Sequence, residues 1–309
     1  MGSVCAPVVM LVFRRPDLTR QVFERVREAK PTTLIVVADG ARKGSPSEAA
    51  LVRETRELVA DVDWECIVHR IYSDSNLGLK ARVTSGLDQA FELVDSAIIL
   101  EDDCVPAASF FPYATELLGR YRDNPSVGTI AGTSRVRGHM PSQDSYDFSS
   151  DLRIWGWATW ARTWQGFSRS GDLNRRWDME EQNDLVANLK GGRKQAVARM
   201  LRVAHALDSW ALPFLGHVMS RQYLHAVPEK NLVENIGFGS ESTHTKFESF
   251  VEQVPAEEMT FPLRHPLNVT ENPAIDIFEA RQDAKFALRY VVSHPLRVVA
   301  RVIRYVRTR

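Results

Sequence analysis

The sequence predicts an α/β protein built on a mostly parallel sheet with helices on both faces. Three observations predict it. Short runs that are apolar throughout, rather than alternating, recur along the first 130 residues, as strands buried on both faces require. Amphipathic stretches with helical spacing separate them. Polar clusters at Arg14-Arg15, Asp39-Gly40 and Glu101-Asp102-Asp103 directly follow three of the apolar runs. Those are the carboxyl ends, where such sheets bind ligands.

Each element has its own signal. Pro7 to Phe13 reads as a buried strand, and Asp17 to Glu28 as a helix with Leu18, Val22 and Val26 at helical spacing. Thr33 to Ala38 is a second, β-branched run, closed by the turn signal Asp39-Gly40. A helix from about Ser47 to Val59 leads to a third strand, Cys66 to Tyr72. Leu79 to Leu93 is helical, Ala97 to Leu100 is a fourth short strand, and a helix at Phe110 to Tyr121 precedes the run Val127 to Ala131. From about 131 to 275 the regularity is lost. That part holds a Trp-rich stretch from Trp155 to Trp164, a polar segment to Gly192, and helices near Ala196 to Leu207 and from Asp208. An extended Gln222 to Val227 and a Gly-rich loop from Asn235 to Thr245 follow, with a helical tail over 276–309.

The chain of 309 residues is 44% hydrophobic, enough for a sizeable core. Its 39 basic and 39 acidic residues balance, so nothing global argues for a nucleic-acid partner. The balance hides an asymmetry, because seven Lys or Arg and no acid lie between Ala284 and Arg309. Cys5, Cys66 and Cys104 form neither a disulfide framework nor a zinc spacing, so a reducing cytoplasm is the expected compartment. No signal peptide is expected, Ala6 weakens a myristoylation reading of Met1-Gly2, and no apolar stretch is long enough to span a bilayer. A soluble protein, or one peripheral at the inner face of the membrane, is expected.

Three adjacent carboxylates repel one another unless a cation or hydrogen-bond donors neutralise them. Glu101-Asp102-Asp103 at a strand end therefore suits Mg²⁺ or Mn²⁺, hard ions that also bind substrate phosphates. A solvated acidic loop is the plain alternative. The surrounding order resembles family 2-like bacterial glycosyltransferases and the N-acetylglucosaminyltransferase that begins complex N-glycan branching. It runs from Arg15-Pro16-Asp17 through Asp39-Gly40, Asn76-Leu77-Gly78 and Ile99-Leu100-Glu101-Asp102-Asp103. It continues with Trp155-Gly156-Trp157-Ala158-Thr159-Trp160, Asp208-Ser209-Trp210, Asn231-Leu232-Val233, Asn235-Ile236-Gly237-Phe238-Gly239 and Thr243-His244-Thr245.

That resemblance implies a GT-A fold, a Rossmann-like mostly parallel sheet flanked by helices. Residues 1–130 would be its nucleotide-sugar-binding half, 131–275 a smaller acceptor-side half, and 276–309 a basic helical tail. It implies a hexosyl- or N-acetylhexosaminyltransferase using a nucleoside diphosphate sugar, with uridine as the default base. Asp103 would ligate Mn²⁺ or Mg²⁺, with His244 as a late second ligand. Arg15, Asp39, Lys80, Arg82, Glu101 and Asp102 would contact the nucleotide sugar, although the usual Arg placement near Lys80 and Arg82 is not kept. Trp155, Gly156 and Trp157 would line the sugar site, with Trp157 inside. Asp208 would be the base that accepts the proton of a carbohydrate, lipid-linked or small-molecule acceptor, giving inversion at the anomeric carbon. As plain structure, Asp39 is a turn residue, Asp208 a helix cap, and the tryptophans core.

Two other readings are open. A sugar-1-phosphate nucleotidyltransferase would show a glycine-rich loop after the first strand, where this chain has Phe13-Arg14-Arg15-Pro16. A non-catalytic sugar- or lipid-binding relative does not need the triplet, Asp208 and His244 together. In the tail, Leu296, Val299, Ile303 and Val306 form an apolar stripe flanked by Arg297, Arg301, Arg304 and Arg307. That stripe suits an anionic membrane surface, the body of the protein, or a second copy of the chain.

Overall fold

The computed structural model describes residues 5–136, 142–187, 189, 191–237, 254–279, 281 and 285. The tail stripe and His244 lie outside them. In chain order the first part contains β1 (Val8–Val12), α1 (Pro16–Ala29), β2 (Thr33–Ala38), α2 (Pro46–Leu58) and β3 (Ile67–Tyr72). Then come α3 (Leu79–Leu93), β4 (Ser96–Glu101), β5 (Cys104–Pro106), α4 (Phe110–Arg120) and β6 (Val127–Ala131). The remainder holds β7 (Tyr146–Ser149), β8 (Trp157–Trp160), α5 (Ala161–Ser170), α6 (Met179–Leu185) and α7 (Gly191–Val203). It ends with α8 (Ala211–Ser220), β9 (Leu224–Pro228), β10 (Val233–Asn235) and a helix over 273–279.

Eight of these strands make one mixed sheet in the order β3-β2-β1-β4-β8-β6-β9-β7. The pairs β1·β2, β1·β4, β2·β3 and β6·β9 are parallel. Strand β8 runs antiparallel to both β4 and β6, and β7 antiparallel to β9. Alternate residues of β1 supply both faces. Val8, Met10 and Val12 pack with α1 and α4, while Val9 and Leu11 pack with α3 and the aromatics of α5 and α8. The uniform hydrophobicity of β1 has that cause: neither face meets water.

The Trp-rich stretch is the main departure from the sequence reading. Residues 157–160 form a strand in the middle of the sheet, with Trp157 opposite Ile99 on one side and Ala131 on the other. The two-residue period sends Trp157 to the α3 face and Trp160 to the α4 face. The Trp157 ring is fully buried, stacked on Trp210 at 5.8 Å between centroids and tilted against Phe214 at 5.6 Å. Helix α8 also starts at Ala211 rather than Asp208, which leaves Asp208 outside the helix that it was expected to open.

Because Trp157 fills the interface between the sheet and two helices, Trp157→Ala should destabilise the protein by about 3–5 kcal/mol. Chemical denaturation measures this directly. A loss under ~1 kcal/mol would mean that the site collapses without leaving a cavity.

Candidate active site

The parallel pairing of β1 with β4, with Leu11 opposite Glu101, brings the Arg14-Arg15 turn beside the acidic triplet. Arg15 forks onto Asp102, donating from Nη2 to Oδ1 at 2.5 Å and from Nε to Oδ2 at 3.3 Å. Its Nη1 donates to Asp103 Oδ2 at 2.9 Å. Planar two-point pairing of this kind is the strong form of an ion pair. The cation that the triplet requires is thus supplied from inside the chain. Burial and the neighbouring charges of Asp103 and Asp102 push Glu101 up to about 8. Asp102, raised by burial and held back by Arg15, reaches about 6.

Asp103 is fixed from behind. Its carbonyl accepts from Ile236 N–H at 2.8 Å, and Asn235 pairs in register with Cys104 through β10 and β5. Gly237 lies against the carboxylate so closely that a Cβ there would stand 2.0 Å from Asp103 Oδ2. Any other residue would displace the carboxylate, so Gly237 belongs to the site although no role was assigned to it from sequence.

The second group of residues forms at the end of β2. Asp39 is 5% exposed, and its oxygens accept from the N–H groups of Gly40, Leu77 and Gly78 and from Asn76 Nδ2, at 2.9 to 3.2 Å. One carboxylate therefore shapes the turn that leads into α3. Gly78 sits there at φ 83°, a conformation that favours glycine. Helix α3 has no cap of its own from Gly78. Asp208 provides one from 129 residues away, accepting from Leu79 N–H at 3.2 Å and Lys80 N–H at 2.9 Å. Its exposed carboxylate faces the positive end of the helix. Lys80 Nζ donates to Asn174 Oδ1 at 2.8 Å, a second tie between the two halves. Arg82 is buried beside Asp39, and its Nε and Nη2 have no hydrogen-bond partner among the described residues. Burial lowers the Arg82 pKa, against the pull of Asp39.

The structure thus gathers Arg15, Glu101, Asp102 and Asp103 in one cluster, and Asp39, Lys80, Arg82 and Asp208 around the start of α3. The Trp155 to Trp157 stretch is divided. Trp155 is half-buried and lines a pocket, whereas Trp157 has no exposed face. The close approach that Gly156 permits is filled by Val233, whose Cγ2 would lie 2.6 Å from a Cβ at 156.

Among the described residues no three His, Cys, Asp or Glu side chains gather as a metal cage. Magnesium-type ions are usually held by one or two carboxylates, with water and substrate phosphate completing the shell. Asp103 fits that mode, with Asp102 behind it, since both Asp102 oxygens accept from Arg15. The Asp103 side chain keeps 12% of its surface exposed against 4% for Asp102, so Asp103 is the more accessible donor.

No family model matches the sequence, and a search of curated proteins finds no match. Solved structures overlap only at low levels. Mouse xyloside xylosyltransferase 1 in its apo form has TM-score 0.36 and 10% identity, over 72% of this chain and 84% of that one. A UDP-glucose pyrophosphorylase complexed with UDP-glucose has TM-score 0.31 and 8% identity, over 70% and 99%. The 4-diphosphocytidyl-2C-methyl-D-erythritolsynthase of Anaerococcus prevotii has TM-score 0.33 and 8% identity, over 60% and 86%. Overlaps of this size carry no argument about activity, which rests on the residues themselves.

The raised carboxyl groups have a measurable consequence. The folded chain keeps protons on Glu101 and Asp102 over a range where the unfolded chain, near the ordinary values of 4.5 and 3.8, has released them. The unfolded state then binds fewer protons, so this contribution to stability falls as pH rises from about 4 to about 8. Urea denaturation across that range should show the decline, and Glu101→Gln should flatten its upper part. An unchanged slope in the variant would place the titrating group elsewhere.

Proposed function

We propose that this protein is a metal-dependent, inverting glycosyltransferase that moves a sugar from a nucleoside diphosphate sugar to an acceptor hydroxyl. The observation that carries the reading is the Arg15–Asp102–Asp103 cluster at the carboxyl ends of β1 and β4. Asp39 closes β2 in the same row, in the place where the sequence resemblance puts the nucleotide. A divalent cation, Mn²⁺ or Mg²⁺, would be held by Asp103 with Asp102 behind it, and when bound supplies positive charge against the departing diphosphate.

The chain's own residues do the rest. Arg15 holds both carboxylates at one orientation, so the negative charge is in place before substrate arrives. The acceptor oxygen forms the new bond to the anomeric carbon as the bond from that carbon to the β-phosphate oxygen breaks. The bonding electrons leave with the diphosphate, and the acceptor proton passes to a carboxylate, the role proposed for Asp208. Its two ties to α3 leave lone pairs on both oxygens and fix its direction. Attack opposite the leaving group inverts the anomeric centre.

Hydrolysis and transfer assays with UDP-, GDP- and TDP-sugars, each with Mn²⁺ or Mg²⁺, test this reading. A UDP-sugar should be turned over, and Asp103→Ala or excess chelator should abolish turnover while circular dichroism stays native. Full activity in chelator overturns the metal assignment.

Asp208→Asn separates the tie from the base. Asparagine still accepts from a helix N-terminus, so stability should change little, whereas loss of a general base lowers the rate by a factor of ~10²–10⁴. Near-normal transfer would reduce Asp208 to a structural link. A product with retained anomeric configuration would reject in-line displacement.

A further inference from the structure

Ala49, Arg53, Arg56 and Ala60 recur at helical spacing, so they fall along one face of α2 and the turn that follows it. Opposite them lies β3, the edge strand of the sheet, which carries no buried residue. Arg70 and Tyr72, two apart in β3, share a face with their register partners Val36 and Ala38 of β2. Alanines at both ends of the helical stripe, set over an uncovered strand, leave a groove between α2 and β3. Its volume is about 400 Å³, within the range of small-molecule sites. None of the residues assigned to the nucleotide sugar or the metal lines it.

Three guanidinium groups line this groove, and among the described residues none of them is paired with a carboxylate. Arg56 is fixed by neutral groups. Its Nη2 donates to the carbonyls of Asp39 at 3.0 Å and Ser73 at 2.6 Å, and its Cζ lies over the Tyr72 ring, 4.7 Å from the centroid. Arg70 donates from Nη2 to the Ala60 carbonyl at 3.3 Å, and Arg53 makes no hydrogen bond among the described residues. Burial raises the Tyr72 pKa against the pull of Arg70 and Arg56, so both cations stand near that one hydroxyl. Glu57 and Asp74, both exposed, also line the groove and are outnumbered by the arginines.

Carbonyl partners orient a guanidinium without cancelling its charge. The three arginines therefore keep an attraction for an oxyanion, whose geometry a planar fork of donors matches. The rest of the wall is of another kind. Ala49, Val52, Ala60 and the Tyr72 ring offer apolar surface, which a bare inorganic anion would leave uncovered. Arg56, flat and already stacked on Tyr72, suits a flat ring laid against it.

We propose that this groove is a second ligand site, for an organic oxyanion: a phosphate or carboxylate carried on a flat apolar body. Arg53 and Arg70 hold the oxyanion, and the body lies along Val52 and the Arg56–Tyr72 pair. The inference uses none of the residues on which the glycosyltransferase reading stands.

Calorimetric titration of the full chain in EDTA, which keeps metal from the carboxylate cluster, tests it. The probes are 1-naphthyl phosphate, 1-naphthoate, 1-naphthalenemethanol and inorganic phosphate. At least one of the two naphthyl anions should bind, about tenfold or more tighter than the alcohol and than inorganic phosphate; the tighter of the two identifies the oxyanion. Arg53→Gln and Arg70→Gln should each weaken that binding about tenfold. Arg53→Gln removes no hydrogen bond among the described residues, so its fold is retained. Ala49→Trp should weaken binding by filling the groove while all three arginines stay. Arg25→Gln, an exposed charge on α1 paired with Glu28, should leave binding unchanged. The inference is overturned if neither naphthyl anion binds, if the alcohol or inorganic phosphate binds as tightly, if Arg25→Gln weakens binding as much as Arg53→Gln, or if binding survives Arg53→Gln, Arg70→Gln and Ala49→Trp.

Discussion

Three consecutive carboxylates can end a buried strand here because Arg15 reaches across from the neighbouring strand and forks onto two of them. Without that cation, Asp102 would be buried at 4% side-chain exposure beside two like charges, an arrangement that strongly opposes ionisation. Much of the site follows from this pairing. It depends on β1 and β4 being adjacent and parallel, and it leaves Asp103, at 12% side-chain exposure, the more exposed of the two paired carboxylates. It also leaves Glu101, on which Arg15 makes no hydrogen bond, raised to about 8 against about 6 for Asp102.

A second constraint joins the two halves of the chain. The N-terminal N–H groups of α3 need acceptors, and Gly78 has no side chain to supply one. Asp208 supplies it from the other half, and the Lys80–Asn174 bond lies next to it. Asp39 meanwhile spends its hydrogen-bonding capacity on the turn that aims α3. The carboxylate expected at the nucleotide and the carboxylate expected as base are therefore mechanically linked through one helix end. Removing the acceptor at either position removes a hydrogen bond from the start of α3.

Close backbone approach decides the shape of the remaining wall. Gly132, Gly156 and Gly237 each stand where a Cβ would lie within 2.6 Å of a neighbour: Val233 for the first two, Asp103 for the third. Strand β10 can then press against the ends of β6 and β8 while pairing with β5, which joins Asp103 and the pocket wall in one unit. The helix over 273–279 completes that unit through the Arg153 ion pairs.

The sequence by itself determined the elements of the first 130 residues to within a residue or two, with α3 at Leu79–Leu93 and β2 at Thr33–Ala38 as read, except for the short strand β5, which forms only by pairing with β10. Those signals are local: periodicity, turn residues and strand-end polarity depend on neighbours in the chain. It also placed the polar clusters at one edge of a parallel sheet. Only the tertiary structure decided that residues 157–160 are a central antiparallel strand, which is why Trp157, expected inside, has no exposed face for a sugar. Only it decided that Arg15 neutralises Asp102 and Asp103, that Asp208 caps a helix 129 residues away, and that Glu279 walls a pocket. These depend on strand order and on contacts closed across long loops. Their entropy is offset by the packing of the whole sheet, and no window of neighbouring residues contains that information.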